Sequence, residues 1–215
     1  MAHLTQRSGA GARSVCLAIL CATLPLATFA QETPKKEAEF FMGFGLSTTS
    51  IDKHAAGEEG IGSRGLGFQA RWSLRYHEVF DLSAHFGGEY VKDKESFTQG
   101  TTGGTKKSST WPVFGGVSTG LFTPAIRLGS DPGAPRLSFG GYVGYEWILS
   151  ARRSISDCID CRSEKLHLRS GMFLEPGLEL YIWRRSGLGA YYRIFENDAD
   201  FGGRFVIMYV MRPFR

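Results

Sequence analysis

The sequence has few cysteines, little net charge and no long apolar run beyond its first 30 residues. It contains 4 Cys and 8 Pro among 215 residues, with 25 basic against 21 acidic side chains. This near balance predicts no nucleic-acid partner, because nucleic-acid-binding proteins concentrate lysine and arginine. After residue 30 no stretch is apolar over the roughly 20 residues that a transmembrane helix needs. Any part that spans a membrane would therefore consist of strands.

The first 30 residues have the pattern of a signal peptide. Arg7 and Arg13 come before an apolar stretch over residues 15–30, and no acidic residue lies among them. Thr28 and Ala30 are the small residues that a signal peptidase recognises. We expect cleavage after Ala30, which removes two arginines and leaves 23 basic and 21 acidic residues with a formal charge of +2.

Large apolar side chains recur at every second position of residues 65–90. Phe68 and Trp72 fall on one face of this segment, and Arg71 and Arg75 fall on the other. A period of two is that of a β-strand, and 28 glycines with 13% aromatic residues favour the same structure. The alternation predicts eight strands, near 39–50, 65–76, 79–91, 111–122, 136–149, 165–182, 187–196 and 201–212.

These strands predict an all-β fold, an antiparallel up-and-down barrel, because long and short connections mostly alternate. A soluble barrel would turn its apolar face inward around a ligand, and a membrane barrel would turn it outward to lipid. The interior of eight strands is only just filled by side chains. An apolar face that includes Phe40, Phe44, Trp72 and Phe139 is too bulky for that space. Volume therefore favours the transmembrane β-barrel.

On these features the chain resembles the small eight-stranded outer-membrane barrels of Gram-negative bacteria, the class of the outer membrane protein A transmembrane domain. The resemblance covers most of residues 39–214 and is one of architecture. Barrels of this class usually end in an aromatic residue that the barrel assembly machinery reads, and here Arg215 follows Phe214. The resemblance implies export to the bacterial outer membrane, with outer-membrane lipid and the assembly machinery as partners. Residues 31–38 would be a short periplasmic N-terminal segment, and residues 39–215 the barrel domain.

The polar face carries titratable side chains of both signs. Inside a narrow barrel they must pair, because an unpaired buried charge is costly. If the chain turns at residues 77–79, Arg75 faces Asp81 and Arg71 faces His85. We expect an interior polar network here, with no catalytic residues, no cofactor and no metal site. Its predicted members are Arg71, Arg75, Asp81, His85, Glu89, Glu146, His167, Arg169, Glu175, Glu179, Arg193 and Arg204.

Three functions fit this architecture. The favoured one is a monomeric, non-enzymatic barrel with a structural or surface-interaction role. The alternatives are a small transport barrel for small or hydrophobic compounds and a lipid-modifying membrane hydrolase. Ser83, His85 and Glu89 share the polar face and would serve the hydrolase, but that face points into the barrel. A surface ligand would bind the polar loops 51–64, 92–110 and 150–164.

Removal of the leader leaves Cys158 and Cys161 as the only cysteines, in a predicted surface loop. Outside the cytoplasm such a close pair is expected to form a local disulfide. The folded, mature protein should therefore show no free thiol until it is reduced. Alkylation before and after reduction, followed by mass measurement, tests this, and two alkylated thiols in the untreated protein would contradict it.

Overall fold

The computed structural model describes residues 38–51, 64–99, 102–156, 163–169, 171–196 and 199–212. These residues belong to one compact unit, residues 36–215. Among them no helix is long and apolar enough to cross a membrane. The strands are β1 (Ala38–Ile51), β2 (Gly65–Tyr76), β3 (Phe80–Gln99), β4 (Thr102–Phe122), β5 (Ile126–Arg127), β6 (Arg136–Ser156), β7 (Ser163–Lys165), β8 (Gly171–Tyr181), β9 (Ser186–Phe195) and β10 (Phe201–Met211).

Eight long strands close into an antiparallel barrel. Each pairs with the next long strand along the chain, from β1 through β4, then β6, β8, β9 and β10. Pairing of β1 with β10 closes the ring, and the short β5 and β7 add to the ends of β6. Closure gives every long strand two neighbours, which removes the open edges that invite aggregation. The predicted all-β, up-and-down barrel of eight strands is confirmed.

The register between β2 and β3 agrees with the sequence pattern. Tyr76 lies opposite Phe80, Arg75 opposite Asp81, and Arg71 opposite His85. Residues 77–79 form the turn between the two strands. Since side chains alternate across a strand, this register puts the charged residues of both strands on one face.

The two central residues of that turn have left-handed backbone conformations. His77 has a φ of 50° and Glu78 a φ of 62°, and the Val79 amide donates to the Tyr76 carbonyl at 3.0 Å. Two left-handed residues are typical of a type I′ hairpin turn, whose twist matches that of the strands it joins. Glycine or asparagine usually occupies these positions, so here the paired strands hold two ordinary residues in a conformation that they seldom adopt.

The barrel has an apolar outside and a polar inside. In β2, Phe68 is 50% exposed and Trp72 is 38% exposed, whereas Gln69, Arg71 and Arg75 are buried. The other long strands repeat the pattern, with exposed side chains such as Phe44, Phe86, Phe139, Trp147, Tyr192 and Phe205. A soluble protein of this size would place these groups inside. The arrangement is that of a barrel surrounded by lipid.

The predicted loop 92–110 is a paired hairpin, and that part of the prediction is wrong. Strands β3 and β4 stay in register from Lys92, opposite Ser109, to Gln99, opposite Thr102. The polar composition favoured a loop, but two neighbouring strands that are already in register can extend their ladder without closing a new loop.

Two other predicted boundaries also differ. Residues 150–156 continue β6, and the strand predicted over 165–182 begins at Gly171, after the separate short strand β7. The leader 1–30, residues 52–63 and the predicted disulfide Cys158–Cys161 lie outside the described residues.

Glycine on the inner face lets neighbouring backbones approach closely. A Cβ added at Gly67 would lie 2.2 Å from the Gly88 carbonyl oxygen and 2.7 Å from the Glu89 Cα. Both are backbone atoms of β3, so neither can move without shifting the strand. Gly67 is therefore required by the packing of β2 against β3.

We expect Gly67→Ala to lower the free energy of unfolding by about 1–3 kcal/mol, because the new Cβ must displace the β3 backbone. Urea unfolding of the barrel in lipid vesicles measures the change. Gly133→Ala is the matched control, since no atom lies within 4 Å of a Cβ there. Equal stability of the two variants would contradict this account of Gly67.

Candidate functional site

A network of charged side chains fills the barrel interior. It is built by β2, β3, β6, β8, β9 and β10, whose inner faces converge on the axis. None of its members is more than 4% exposed. The members are Arg71, Arg75, Asp81, His85, Glu89, Glu146, Glu175, Glu179, Arg193 and Arg204.

The charged side chains fall into three layers along the barrel axis. Arg75 is at the centre of the layer nearest the short turns. Its Nε donates to Asp81 Oδ2 at 3.0 Å, and its two terminal nitrogens donate to the Glu179 carboxylate at 2.7 and 2.9 Å. Tyr142 donates to Asp81 at 3.3 Å and Tyr191 to Glu179 at 2.7 Å. Since Asp81 is on β3 and Glu179 on β8, this one guanidinium ties opposite walls of the barrel together.

The middle layer is centred on Glu175. Arg71 on β2 pairs with one of its oxygens, and Arg193 Nε on β9 donates to the other at 2.6 Å. Arg193 also pairs with Glu146 on β6 and approaches His85 Nε2 to 3.0 Å. Strands from both halves of the chain therefore meet through a single carboxylate.

The third layer, nearest the long connections, is centred on Arg204. Its Nε donates to Glu89 Oε1 at 2.6 Å, and its Nη1 donates to Glu146 Oε2 at 2.5 Å. The Ser47 hydroxyl donates to the same Glu89 oxygen at 3.0 Å. Because Glu146 accepts from both Arg193 and Arg204, the second and third layers form one continuous network.

These layers leave little empty space on the axis. A cavity beside Arg71, Arg75, Tyr142 and Glu179 has a volume of about 10 Å³. That is close to the minimum that one water molecule requires. The charges of this network therefore pair with one another in place, and in the described part of the barrel they leave little open space on the axis.

The structure places all but two of the predicted interior residues in this network. His167 and Arg169 are exposed in the segment between β7 and β8, where the Arg169 side chain is 63% exposed and pairs with Asp200 at 3.1 Å. This difference follows from the boundary of the predicted strand 165–182. Strand β8 begins at Gly171, so strand alternation does not apply to these two residues.

The predicted network contained only arginine, histidine, aspartate and glutamate residues, so it left out the tyrosines and the glutamine that the structure also places in the interior. Tyr142, Tyr181 and Tyr191 are each at most 2% exposed, and so is Gln69. Each is separated by an even number of positions from a charged residue on the same strand, so the two side chains point to the same face. Tyr142 precedes Glu146 by four positions, and Gln69 precedes Arg71 by two. The alternation of side chains along each strand is therefore the signal that could have identified these positions as inward-facing.

Ser83, His85 and Glu89 do not form a catalytic triad. The Ser83 Oγ lies 2.7 Å from the Ser118 Oγ, and His85 Nε2 lies 3.2 Å from Glu146 Oε2. Glu89 is paired with Arg204. All three side chains are buried, so an acyl chain in the surrounding lipid has no contact with Ser83.

No protein-family model and no curated protein matches the sequence. Among solved structures the chain is similar to Ail, the attachment invasion locus protein of Yersinia pestis, with 12% identity over 82% of this chain and 99% of that one, at a TM-score of 0.47. The chain is also similar to the Neisserial surface protein A, with 10% identity over 82% of this chain and 97% of that one, at a TM-score of 0.37. It is similar as well to the outer membrane protein OprG from Pseudomonas aeruginosa, with 11% identity over 81% of this chain and 92% of that one, at a TM-score of 0.42. At such TM-scores these likenesses carry no argument about what the chain does.

The fold is established by the chain's own strand pairing and by the distribution of its side chains. The closed ring of eight antiparallel strands, with apolar side chains outside and paired charges inside, is an outer-membrane-type β-barrel. In such a barrel the site that the structure builds is internal, and the surfaces open to other molecules are its two ends and its lipid-facing wall.

Replacement of Arg75 should destabilise the barrel more than replacement of Asp81. Arg75→Met leaves Asp81 and Glu179 buried without their shared cation, which should cost about 3–5 kcal/mol. Asp81→Asn leaves Arg75 paired with Glu179 and should cost about 1–3 kcal/mol. Urea unfolding in lipid vesicles gives both values, and the reverse order would contradict the role of Glu179 as the second partner.

Proposed function

We propose that the chain is a non-enzymatic barrel of a Gram-negative outer membrane, one that does not conduct along its axis and serves as a rigid support for its long-connection end. The observation that carries this proposal is the set of ion pairs that crosses the barrel interior. Arg75 joins β2 to β3 and β8, and Arg204 joins β10 to β3 and β6. These ties hold the wall rigid and occupy the space that a solute would need.

Orientation follows from the connections. Ala38 and Met211 both lie at the end where residues 77–79 and 182–185 make short turns. In outer-membrane barrels short turns face the periplasm, and the longer connections face outward. We therefore assign the opposite end, with the β3–β4 hairpin, to the cell surface.

The β3–β4 hairpin is the best surface for an external partner in the part of the chain that the structure describes. Strand β2 ends its pairing with β3 at Val91, while β3 continues to Gln99 paired only with β4. Strand β4 in turn stays paired with β6 up to Lys107, which lies opposite Lys94, so the hairpin stands clear of both neighbouring strands only beyond these residues, over roughly 15 Å at about 3.3 Å per residue. A projection of this length would carry a recognition surface beyond the lipid headgroups, and the rigid barrel would fix its position.

The transport alternative would require a path for a solute, and the carboxylates of Glu146 and Glu175 stand on the axis with arginines bound to each. The hydrolase alternative would require an accessible nucleophile, and Ser83 is buried. These contacts support the scaffold over either alternative.

The folded wild-type barrel should show no unitary conductance in a planar lipid bilayer, because paired charges block its axis. A variant with Arg71, Glu146, Glu175 and Arg193 all replaced by Ala removes the middle layer while keeping the side-chain charge balanced, and it should conduct. A shift in gel mobility between unheated and boiled samples checks that both forms fold. Steady conductance steps from the wild type would contradict the proposal.

A further inference from the structure

A second feature lies at the short-turn end, outside the interior network. Arg127, Arg136 and Arg184 line an open pocket of about 330 Å³ together with Ile182 and Trp183. These five residues are called the cationic pocket below. It is built by the end of β5, the start of β6 and the turn that follows β8. Arg127 and Arg136 lie opposite each other on β5 and β6, and the pairing of β6 with β8 brings residues 182–184 beside them.

The cationic pocket has no internal counter-charge. Within the described part of the chain, none of its three arginines makes an ion pair, whereas Arg71, Arg75, Arg193 and Arg204 all do. Asp131 lies on the turn between β5 and β6, and it pairs with none of the three either. Like charges around one pocket repel, so an anion bound between them would be stabilised.

Arg136 is held in place at this pocket. Its Nη2 donates to the Arg184 carbonyl oxygen at 3.4 Å, and its Cζ lies 5.8 Å from the centre of the Tyr181 ring. The Tyr181 ring is in turn buried, with its hydroxyl directed to Glu179 in the network. The network therefore supports one wall of the cationic pocket.

The same pocket has an apolar rim. Trp183 is 59% exposed and Ile182 is 37% exposed, and Ile126 and Leu128 are exposed beside Arg127. Phe139, further along β6, continues this surface into the lipid-facing wall. Tryptophan beside cations is typical of the depth at which lipid headgroups lie. A ligand that suits this setting is anionic at one end and apolar at the other.

We propose that the cationic pocket binds the phosphate headgroup of an anionic glycerophospholipid from the leaflet at the short-turn end. Arginine forms paired hydrogen bonds with phosphate oxygens, and the acyl chains would lie along Ile182 and the adjoining wall. This inference rests on the proposed membrane location of the barrel.

Trp183 provides a direct reporter for the test. In a background of Trp72→Phe, Trp111→Phe and Trp147→Phe it is the only tryptophan, and lipids with brominated chains quench it on contact. The barrel is folded into phosphatidylcholine vesicles that contain a small fraction of brominated phosphatidylglycerol or of brominated phosphatidylcholine. We expect phosphatidylglycerol to be enriched at Trp183 by about tenfold, the effect of one charge-assisted hydrogen bond to phosphate.

Two sets of substitutions separate the pocket from general charge. Arg127→Gln, Arg136→Gln and Arg184→Gln together should abolish the enrichment. Arg64→Gln, Arg152→Gln and Lys165→Gln remove the same charge from exposed residues toward the opposite end and should preserve it. Gel mobility before and after boiling checks the folding of each.

The outcomes distinguish this proposal from the membrane location beneath it. Equal quenching by the two brominated lipids, equal loss in both sets of variants, or loss of the enrichment on addition of millimolar inorganic phosphate would each overturn the lipid site and leave the location intact. Quenching by neither lipid would show that Trp183 does not reach the bilayer, which would also overturn the lipid site, whereas the membrane location rests on the apolar outer wall of the barrel.

Discussion

The structure depends on one constraint: charges enclosed by eight strands have no room for water and must neutralise one another. The strand number fixes the interior width, and side chains fill it almost completely. An unpaired charge there is costly, so each carboxylate of the network has a cationic partner in place. Glu146 and Glu175 each accept from two arginines, which joins separate pairs into one network. The barrel can therefore close only if the side chains that fill its interior also pair their charges.

Arginine is better suited than lysine to pair with carboxylates in this narrow interior. The guanidinium carbon of each network arginine lies over an aromatic ring, while the guanidinium nitrogens reach carboxylates. The Cζ–ring distances are 4.4 Å for Arg71 over Tyr142, 4.3 Å for Arg75 over Phe122, 4.1 Å for Arg193 over Phe173 and 3.8 Å for Arg204 over Phe114. Lys92 and Lys165, the two lysines whose burial the structure describes, are both exposed. The aromatic rings thus fill volume and stabilise cations together.

Sequence alternation predicted the barrel, the turn at residues 77–79 and the inward position of most charged residues, because strand parity is a local property. Partner choice across the barrel is not local. Arg71 and Glu175 are separated by 104 positions, and only the closed ring brings them together. The polar composition of residues 92–110 predicted a loop, but backbone pairing between β3 and β4 makes this segment a hairpin. Composition also offered no sign of the cationic pocket, in which Arg127 and Arg136 of one connection meet Arg184 of another.

The span of these interior ties in sequence has a consequence for how the protein forms. Glu89 and Arg204 are 115 positions apart, and Arg204 lies on the last strand. While the sheet is still open, pairs between distant strands, such as Glu89 with Arg204, cannot form, whereas a pair within one hairpin, such as Arg75 with Asp81, can. The distant pairs form together when β10 meets β1, so assembly has a late, cooperative step with the high contact order that makes folding slow. The complete interior network therefore forms only when the first and last strands pair.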